Sequence, residues 1–194
     1  MRAGAARRVP RRGHALALSA SLLVPLSCLA QLPAALPAQG TIQAAFAPWD
    51  DAEGVVLDAI RKAKRDIRVQ AFSFTSRRLA AALVSAKRRG VDVQVIADAE
   101  QASGPSSRLA ALAAAGVAVL LDARYRSAHS KVMLMDASTP DAAVVTGSYN
   151  WTYAAQNRNA ENLLVMRGNP ELAQAYLANW ERHAAGSRPF LTPR

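Results

Sequence analysis

Cysteine is nearly absent from this sequence: the chain of 194 residues contains one, Cys28. One cysteine cannot form an intramolecular disulfide or a zinc site made of cysteines, so neither is expected to stabilise the fold. Aromatic residues are only 6% of the chain, which argues against an extended aromatic platform for stacking bases. No group of Asp, Glu and His residues has the spacing of a divalent-metal site, so we expect neither a metal nor another cofactor.

The first 40 residues differ in composition from the rest of the chain. Five arginines stand within the first twelve residues, an apolar run follows from Ala15 to Ala30, and uncharged small residues continue to Gly40. These are the parts of a secretory signal peptide, so we expect residues 1–40 to be a signal and its cleavage region, with the mature chain starting at about 31–41. Because Pro25 interrupts a short run, we favour removal over the alternative of an uncleaved membrane anchor. A periplasmic or secreted protein without stable membrane association is predicted.

The chain is basic, with a formal net charge of +10. Loss of the five N-terminal arginines leaves 19 basic against 14 acidic residues, about +5. A basic exported protein suits an anionic polymer or an anionic membrane surface. Ordinary solubility charge is the alternative interpretation at this value.

Apolar periodicity divides residues 41–185 into alternating strands and helices. Strands are predicted over 41–47, 66–74, 91–97 and 117–121, and helices over 52–64, 76–89 and 108–115. This succession favours an α/β fold in which one sheet has helices on both faces. Strands over 142–146 and 160–167, and a terminal helix over 170–184, complete a single domain. We expect residues 186–194 to form a flexible tail.

Most of the chemical information lies between Ser127 and Glu161. His129 and Lys131 are two residues apart, so on a strand their side chains lie on the same face. The apolar residues 132–135 that follow are typical of a buried strand. An imidazole, an ammonium, two carboxylates, a hydroxyl and an amide can together cleave a phosphodiester without a metal. The residues that supply these groups are His129, Lys131, Asp136, Ser148, Asn150 and Glu161.

This stretch resembles the phospholipase D superfamily, whose signature is H-x-K, four residues, D, and then G-S-x-N. The likeness covers residues 42–183 and includes F-S-F-T-S at 72–76 and A-E-N at 160–162. It is greatest to the short bacterial phospholipase D-type endonucleases that carry a single copy of the motif. Between Asp136 and Gly147 the chain inserts A-S-T-P-D, which is tolerable because a longer hairpin loop costs little. The resemblance implies a phospholipase D-like mixed β-sheet with helices on both faces.

The resemblance also implies a role for each motif residue. His129 is the expected nucleophile, forming a covalent phosphohistidine, while Lys131 and Asn150 bind the phosphate oxygens. Glu161 is expected to accept a hydrogen bond from Nδ1 of His129, with Ser148 assisting. Asp136 stands at the end of an apolar strand, so tying loops together is the favoured role for it over contact with substrate.

Two histidines are expected around the phosphate in this family, and the chain offers one. His14 lies in the signal, and His183 near the end of the terminal helix is interpreted as a residue that compensates the helix dipole or as a surface residue. A two-fold homodimer would bring two copies of His129 to one phosphate, because an isologous interface repeats the same patch. We therefore expect a homodimer.

A metal-independent, non-specific endonuclease acting on DNA, and perhaps RNA, is the favoured function. The alternatives are a phospholipase D-type lipid phosphodiesterase or transphosphatidylase, and a catalytically silent nucleic-acid-binding protein that retains the fold. A lipid enzyme needs an apolar cleft, for which no extra segment is evident, and the complete motif argues against a silent protein. Candidate phosphate contacts are Arg77, Arg78, Lys87, Arg88, Arg89, Arg124, Arg126 and Arg158.

Overall fold

The computed structural model describes Met1 and residues 32–191. Residues 2–31 of the predicted signal and cleavage region lie outside the described residues. The chain divides into two units, Met1–Ala35 and Leu36–Arg194, and the described helices and strands all belong to the second. In the part of the chain that is described, no helix has both the length and the apolar character needed to span a bilayer.

Strands and helices alternate as the sequence predicts up to residue 122, and two further strands then follow before the next helix. The strands are β1 (Thr41–Ala47), β2 (Asp66–Ala71), β3 (Asp92–Asp98), β4 (Ala118–Asp122), β5 (Lys131–Met135), β6 (Ala143–Gly147), β7 (Glu161–Arg167) and β8 (Arg188–Pro189). The helices are α1 (Ala52–Lys62), α2 (Arg77–Arg88), α3 (Leu109–Ala114), α4 (Tyr153–Asn157) and α5 (Pro170–Ala185).

Side-chain caps explain where the three longest helices begin. The carboxylate of Asp51 accepts a hydrogen bond from the backbone of Gly54, and the Ser76 hydroxyl accepts one from the backbone of Leu79. Asn169 caps α5 in the same way, and Pro170 occupies the first turn, where it has no lost hydrogen bond. Each cap satisfies a backbone N–H group that has no partner within its own helix.

One mixed sheet of eight strands forms the centre of the fold, in the order β1-β7-β6-β5-β2-β3-β4-β8. Only β2, β3 and β4 run parallel to one another, and every other neighbouring pair is antiparallel. The carboxyl ends of β2–β4 therefore meet at one end of the sheet, beside the start of β5. That end is the usual position of ligand sites in open α/β sheets.

Both faces of the sheet are covered by helices, as predicted. Met133 and Met135 of β5 point into the larger core, which also contains buried residues of α1, α2 and α3. Val132 and Leu134 point to the opposite face and pack with Ala173 and Trp180 of α5. Because successive strand residues alternate between faces, a strand buried on both sides needs the unbroken apolar run seen at 132–135.

The tail predicted to be flexible is ordered at its start, so that prediction is wrong for residues 188–190. Arg188 and Pro189 pair with Leu121 and Leu120 as an antiparallel edge strand. The backbone N–H of Phe190 then donates to the carbonyl of Val119 at 2.9 Å, and its ring packs partly buried against the core. Backbone pairing with β4 and the apolar contact of Phe190 together order this segment.

Candidate active site

His129 and Lys131 stand together at the start of β5, as their spacing predicts. The Lys131 ammonium lies 2.7 Å from Nδ1 and 3.1 Å from Nε2 of His129. A neutral imidazole has one acceptor nitrogen, so Lys131 donates to one of these two atoms at a time. Lys131 also donates to the backbone carbonyl of His129 at 2.6 Å. The imidazole itself is exposed, so it is open to attack an incoming phosphorus.

The ring of Phe72 contacts both His129 and Lys131. Its ring centroid is 4.3 Å from that of His129, and the Lys131 ammonium lies 4.9 Å from the same centroid. Lys131 is only 6% exposed. Burial lowers the pKa of Lys131, and the charge of Glu161 acts in the opposite direction by raising it. The site therefore contains a desolvated cation beside a nucleophile, as stabilisation of phosphoryl charge requires.

A tight turn after β6 brings the second half of the motif to the same place. Gly147 has φ of 155°, and a Cβ atom there would collide with the carbonyl oxygen of Asn162 on β7. Only glycine permits this approach. The turn places Asn150 beside His129 and Lys131. The Oδ1 atom of Asn150 is buried without a hydrogen-bond partner among the described residues. The short helix that follows, α4, begins at Tyr153 and is capped by Thr152.

Ser148 and Glu161 form a short hydrogen-bonded unit across β6 and β7. The Ser148 hydroxyl donates to Oε2 of Glu161 at 2.5 Å and accepts from the backbone N–H of Asn162 at 3.0 Å. Asn159 donates to the other oxygen of Glu161 at 2.9 Å. The expected bond from His129 to Glu161 does not occur within the described chain, where the two carboxylate oxygens accept from Ser148 and Asn159. Glu161 acts on Lys131 through its charge instead.

These groups line one open cavity of about 630 Å³. Of the predicted site residues it contains His129, Lys131, Ser148, Asn150 and Glu161. Most of its other lining residues have polar side chains, which come from β2, from the residue before β5, from β6 and from α5. Those that the sequence analysis did not single out are Gln70, Ser130, Thr146, Tyr176 and Asn179. An imidazole, an ammonium and an amide around one polar cavity can hold and attack a phosphoryl group.

Comparison with known proteins supports the same chemistry. Residues 56–184, more than half of the chain, match the family described as "Cardiolipin synthase, PLD-like domain". A phospholipase D of Rickettsia conorii is 33% identical over 146 residues, covering 75% of this chain and 70% of that protein.

The chain belongs to the phospholipase D superfamily. Its fold is that of a solved phospholipase D family member, Nuc from Salmonella typhimurium, with a TM-score of 0.72 and 35% identity over 77% of this chain and 97% of that one. A mitochondrial cardiolipin hydrolase of Xenopus laevis is 35% identical over 133 residues, covering 69% of this chain and 61% of that protein. As a member of this superfamily, the chain is a phosphodiesterase and a hydrolase.

Asp136, although part of the superfamily signature, lies at the opposite end of β5 from His129 and Lys131. Its carboxylate accepts hydrogen bonds from the backbone N–H groups of Lys64, Arg65 and Asp66, at 2.7–3.2 Å. Its own backbone has φ of 52°, a conformation that aspartate tolerates better than most residues. The geometry therefore favours the expected structural role of Asp136 over contact with substrate.

The roles of two buried aspartates, at the carboxyl ends of β3 and β4, were not predicted from the sequence. Asp98 accepts from the backbone N–H of Ala128 at 2.8 Å, which fixes the loop that carries His129. Asp122 has no exposed side-chain surface and lies 2.7 Å from Nδ1 of His183. The interpretation of His183 as a surface residue is therefore wrong. A polar residue that ends an apolar strand was the available signal in both cases.

Three of the eight predicted phosphate contacts are engaged by other groups of the protein. Arg78 pairs with Glu53 at 2.7 Å, and Arg124 pairs with Asp122 at 3.1 Å. Arg89 donates to three backbone carbonyls at the end of α1. Arg126 is exposed on the loop before His129 and has no salt bridge to a described residue. It is the strongest remaining candidate among those cations. No group of three or more His, Cys, Asp and Glu side chains suited to a metal occurs in the described part of the chain.

Proposed function

We propose that this phosphodiesterase is an endonuclease that cleaves DNA, and RNA as a second substrate, through a phosphohistidine in a homodimeric site. In the first step a ring nitrogen of His129 attacks the phosphorus, forming a P–N bond as the P–O bond to the leaving sugar breaks. The leaving oxygen takes a proton from His129 of the partner subunit. Water then attacks the phosphohistidine, loses its proton to that second imidazole, and the P–N bond breaks to give a phosphomonoester and free His129.

The polar side chains that line the cavity beside His129 and Lys131 are the observation that carries the choice of nucleic acid. A nucleic acid presents phosphates, sugars and base edges, all of which can hydrogen-bond with Ser130, Thr146 and Asn179 on the cavity walls. An acyl chain would need an apolar cleft there. The basic balance of the chain adds sequence-independent attraction to a polyanion.

An exposed apolar strip beside the site supports the homodimer. Ile42 and Phe46 of the edge strand β1 are 68% and 52% exposed, and Leu164 of β7 is 36% exposed. Ala44 pairs with Leu164, so these residues lie on one face of two neighbouring strands. The same face of the strands further along the sheet is covered by α5. We propose that a second copy covers this strip and brings its own His129 to the cavity.

Export through the N-terminal segment is part of the proposal, since a nuclease of this low specificity would endanger the genome of the cell that makes it. The sequence features of residues 1–40 support a periplasmic or secreted enzyme. N-terminal sequencing of the protein recovered from the periplasm or medium would test export and locate the cleavage site together.

The decisive experiment compares two substrates. Purified mature protein and His129→Ala are incubated with plasmid DNA and with phosphatidylcholine vesicles, in the presence of a chelator. We expect plasmid cleavage by the wild type that survives the chelator and is lost in His129→Ala, with no lipid hydrolysis. Cleavage of lipid alone would overturn the proposal, and loss of plasmid cleavage with chelator would overturn its metal-independent mechanism.

Lipid phosphodiester hydrolysis is the second candidate. The names of the related proteins favour it, because the Rickettsia conorii protein is called a phospholipase D and the Xenopus laevis one a mitochondrial cardiolipin hydrolase. The same phosphohistidine would serve, with the alcohol of the headgroup as the leaving group. Vesicles that contain cardiolipin should be added to the comparison. Cardiolipin is the lipid that the second name specifies, and it contains two phosphodiesters.

A further inference from the structure

A second, smaller cavity of about 200 Å³ adjoins the active site. Gln70, His129 and Ser130 line both cavities, so a group in the smaller one lies next to the phosphate that His129 attacks. Tyr125 and His183 line only the smaller cavity. The proposed mechanism uses neither of them, nor Gln70.

The imidazole of His183 is held in one orientation. Its Nδ1 lies 2.7 Å from Oδ2 of the fully buried Asp122. Arg124 donates to both oxygens of that carboxylate at 3.1 Å, and to the backbone carbonyl of His183 at 2.9 Å. Burial opposes ionisation of Asp122, but these hydrogen bonds outweigh it and lower its pKa to about 2. With Nδ1 engaged, Nε2 has no hydrogen-bond partner in the described chain and is free for a ligand.

Gln70 supplies an independent sign that this cavity binds a ligand. Its side chain is only 4% exposed, and Oε1 is buried without a partner among the described residues. Its amide nitrogen makes no hydrogen bond with them either. Buried polar groups are normally satisfied, and an exception beside a catalytic cavity calls for an explanation. A substrate group that reorients and hydrogen-bonds this amide would supply one.

Tyr125 places an aromatic ring at the rim of the cavity. The ring is 53% exposed although its centroid lies 5.3 Å from that of His183, and the Arg124 guanidinium lies 5.4 Å from the ring centroid. These contacts restrain the ring without covering it. An exposed, restrained aromatic ring beside a phosphate site is suited to stack an unpaired base. Arg126, next along the chain, adds an exposed positive charge.

We propose that this cavity is a subsite for the nucleotide that flanks the scissile phosphodiester, with its base stacked on Tyr125 and its sugar–phosphate bound by Gln70 and His183. The inference rests on the proposed nuclease function and adds a preference to it. A base can reach Tyr125 only when it is unpaired, so single strands bind better than duplexes. Tyr125, Gln70 and His183 are positioning residues here, and the bond-breaking steps remain with His129.

The test compares an oligonucleotide with bis(4-nitrophenyl) phosphate, a diester that has no flanking nucleotide. For Tyr125→Ala and His183→Ala, we expect the ratio of kcat/KM on single-stranded oligonucleotide to kcat/KM on the small diester to fall about tenfold or more, mainly through KM. Tyr125→Phe should restore the ratio because it keeps the ring. Glu181→Ala is the matched control, since this exposed residue of α5, two positions before His183, has no hydrogen bond or salt bridge to a described residue.

The results distinguish failure of the subsite proposal from failure of the proposed nuclease function. An equal loss on both substrates, or no loss on the oligonucleotide, would overturn the subsite and leave the nuclease function intact. A wild type that hydrolyses the small diester and lipid but no oligonucleotide would overturn the proposed function, and the subsite with it. Because Tyr125 is exposed, Tyr125→Ala remains informative even where loss of the Asp122 pair makes His183→Ala unstable.

Discussion

The ammonium of Lys131 and the imidazole of His129 are within hydrogen-bonding distance, at 2.7 Å, although Lys131 is buried and His129 is exposed. A buried lysine without a carboxylate directly bonded to it is unfavourable for folding. The nearest compensation is the more distant charge of Glu161, which only partly offsets the lowering of the Lys131 pKa by burial. The burial of Lys131 therefore lowers the stability of the fold, and it places a cation where negative charge develops on the phosphoryl group.

Replacing this cation should separate stability from activity. In Lys131→Met we expect kcat on a phosphodiester to fall about 100-fold or more, because one donor to the transition state is lost. The free energy of unfolding should not fall, because the variant no longer buries a charge. Urea unfolding and steady-state kinetics measure the two quantities, and Lys62→Met, at an exposed lysine of α1, is the matched control. A clear loss of stability in Lys131→Met would contradict the desolvation argument.

The same lowered pKa has a consequence for the pH dependence of stability. Between the folded pKa and the ordinary value of 10.5, the unfolded chain holds the Lys131 proton and the folded chain does not. Stability then rises with pH across this window. The difference in unfolding free energy between wild type and Lys131→Met should therefore shift in favour of the wild type as the pH approaches 10.5. A difference that is constant with pH would show that the Lys131 pKa is not lowered.

Glu161 should set the alkaline limit of activity through Lys131. Glu161→Gln keeps an acceptor for Ser148 but removes the negative charge that raises the pKa of Lys131. The ammonium is then lost at lower pH, so the alkaline limb of the kcat/KM profile should move to lower pH. Ser148→Ala leaves the charge in place and should not move this limb. If the limb stays in place in Glu161→Gln, Lys131 is not the group that titrates.

Asp136 gives a prediction of the opposite kind, in which stability changes and catalysis does not. Asp136→Ala leaves the backbone N–H groups of Lys64, Arg65 and Asp66 without their acceptor, so we expect a loss of about 2–4 kcal/mol in unfolding free energy. Asp136→Asn keeps one acceptor oxygen and tolerates the positive φ, so its loss should be smaller. Single-turnover rates per folded molecule measure catalysis. A rate loss beyond the loss of folded protein would give Asp136 a chemical role.

The pattern of the sequence was sufficient to predict the strand β5 and the pairing of His129 with Lys131. Two-residue spacing fixes the face, and the apolar run at 132–135 fixes a strand buried on both sides. The same pattern could not reveal that Asp136, a short distance along the chain, faces a different end of the sheet. Strand length decides that, because five strand residues span roughly 15 Å or more.

The contacts of Asp122 and Glu161 depended on tertiary structure, and the sequence could not supply them. Asp122 and His183 are far apart in the chain and meet because α5 packs back over β4 and β5. A histidine near a helix end is equally compatible with dipole compensation, so local rules gave no reason to prefer the buried pair. Glu161 was assigned to His129 by family resemblance, whereas the described chain gives its oxygens to Ser148 and Asn159.

The homodimer can be tested at the exposed strip of β1 and β7. In Phe46→Lys a charge replaces an apolar side chain that is 52% exposed, so desolvating it in a subunit interface would be costly. We expect the mass measured by light scattering to shift from two chains to one. Activity per chain should fall steeply, because the leaving oxygen then lacks the second imidazole. Leu191→Lys alters an apolar residue that is 80% exposed, beyond the opposite edge strand β8, and should change neither property. Full activity in a strictly monomeric Phe46→Lys would mean that one chain performs both the nucleophilic attack and the proton transfer. His183 would then be the candidate proton donor.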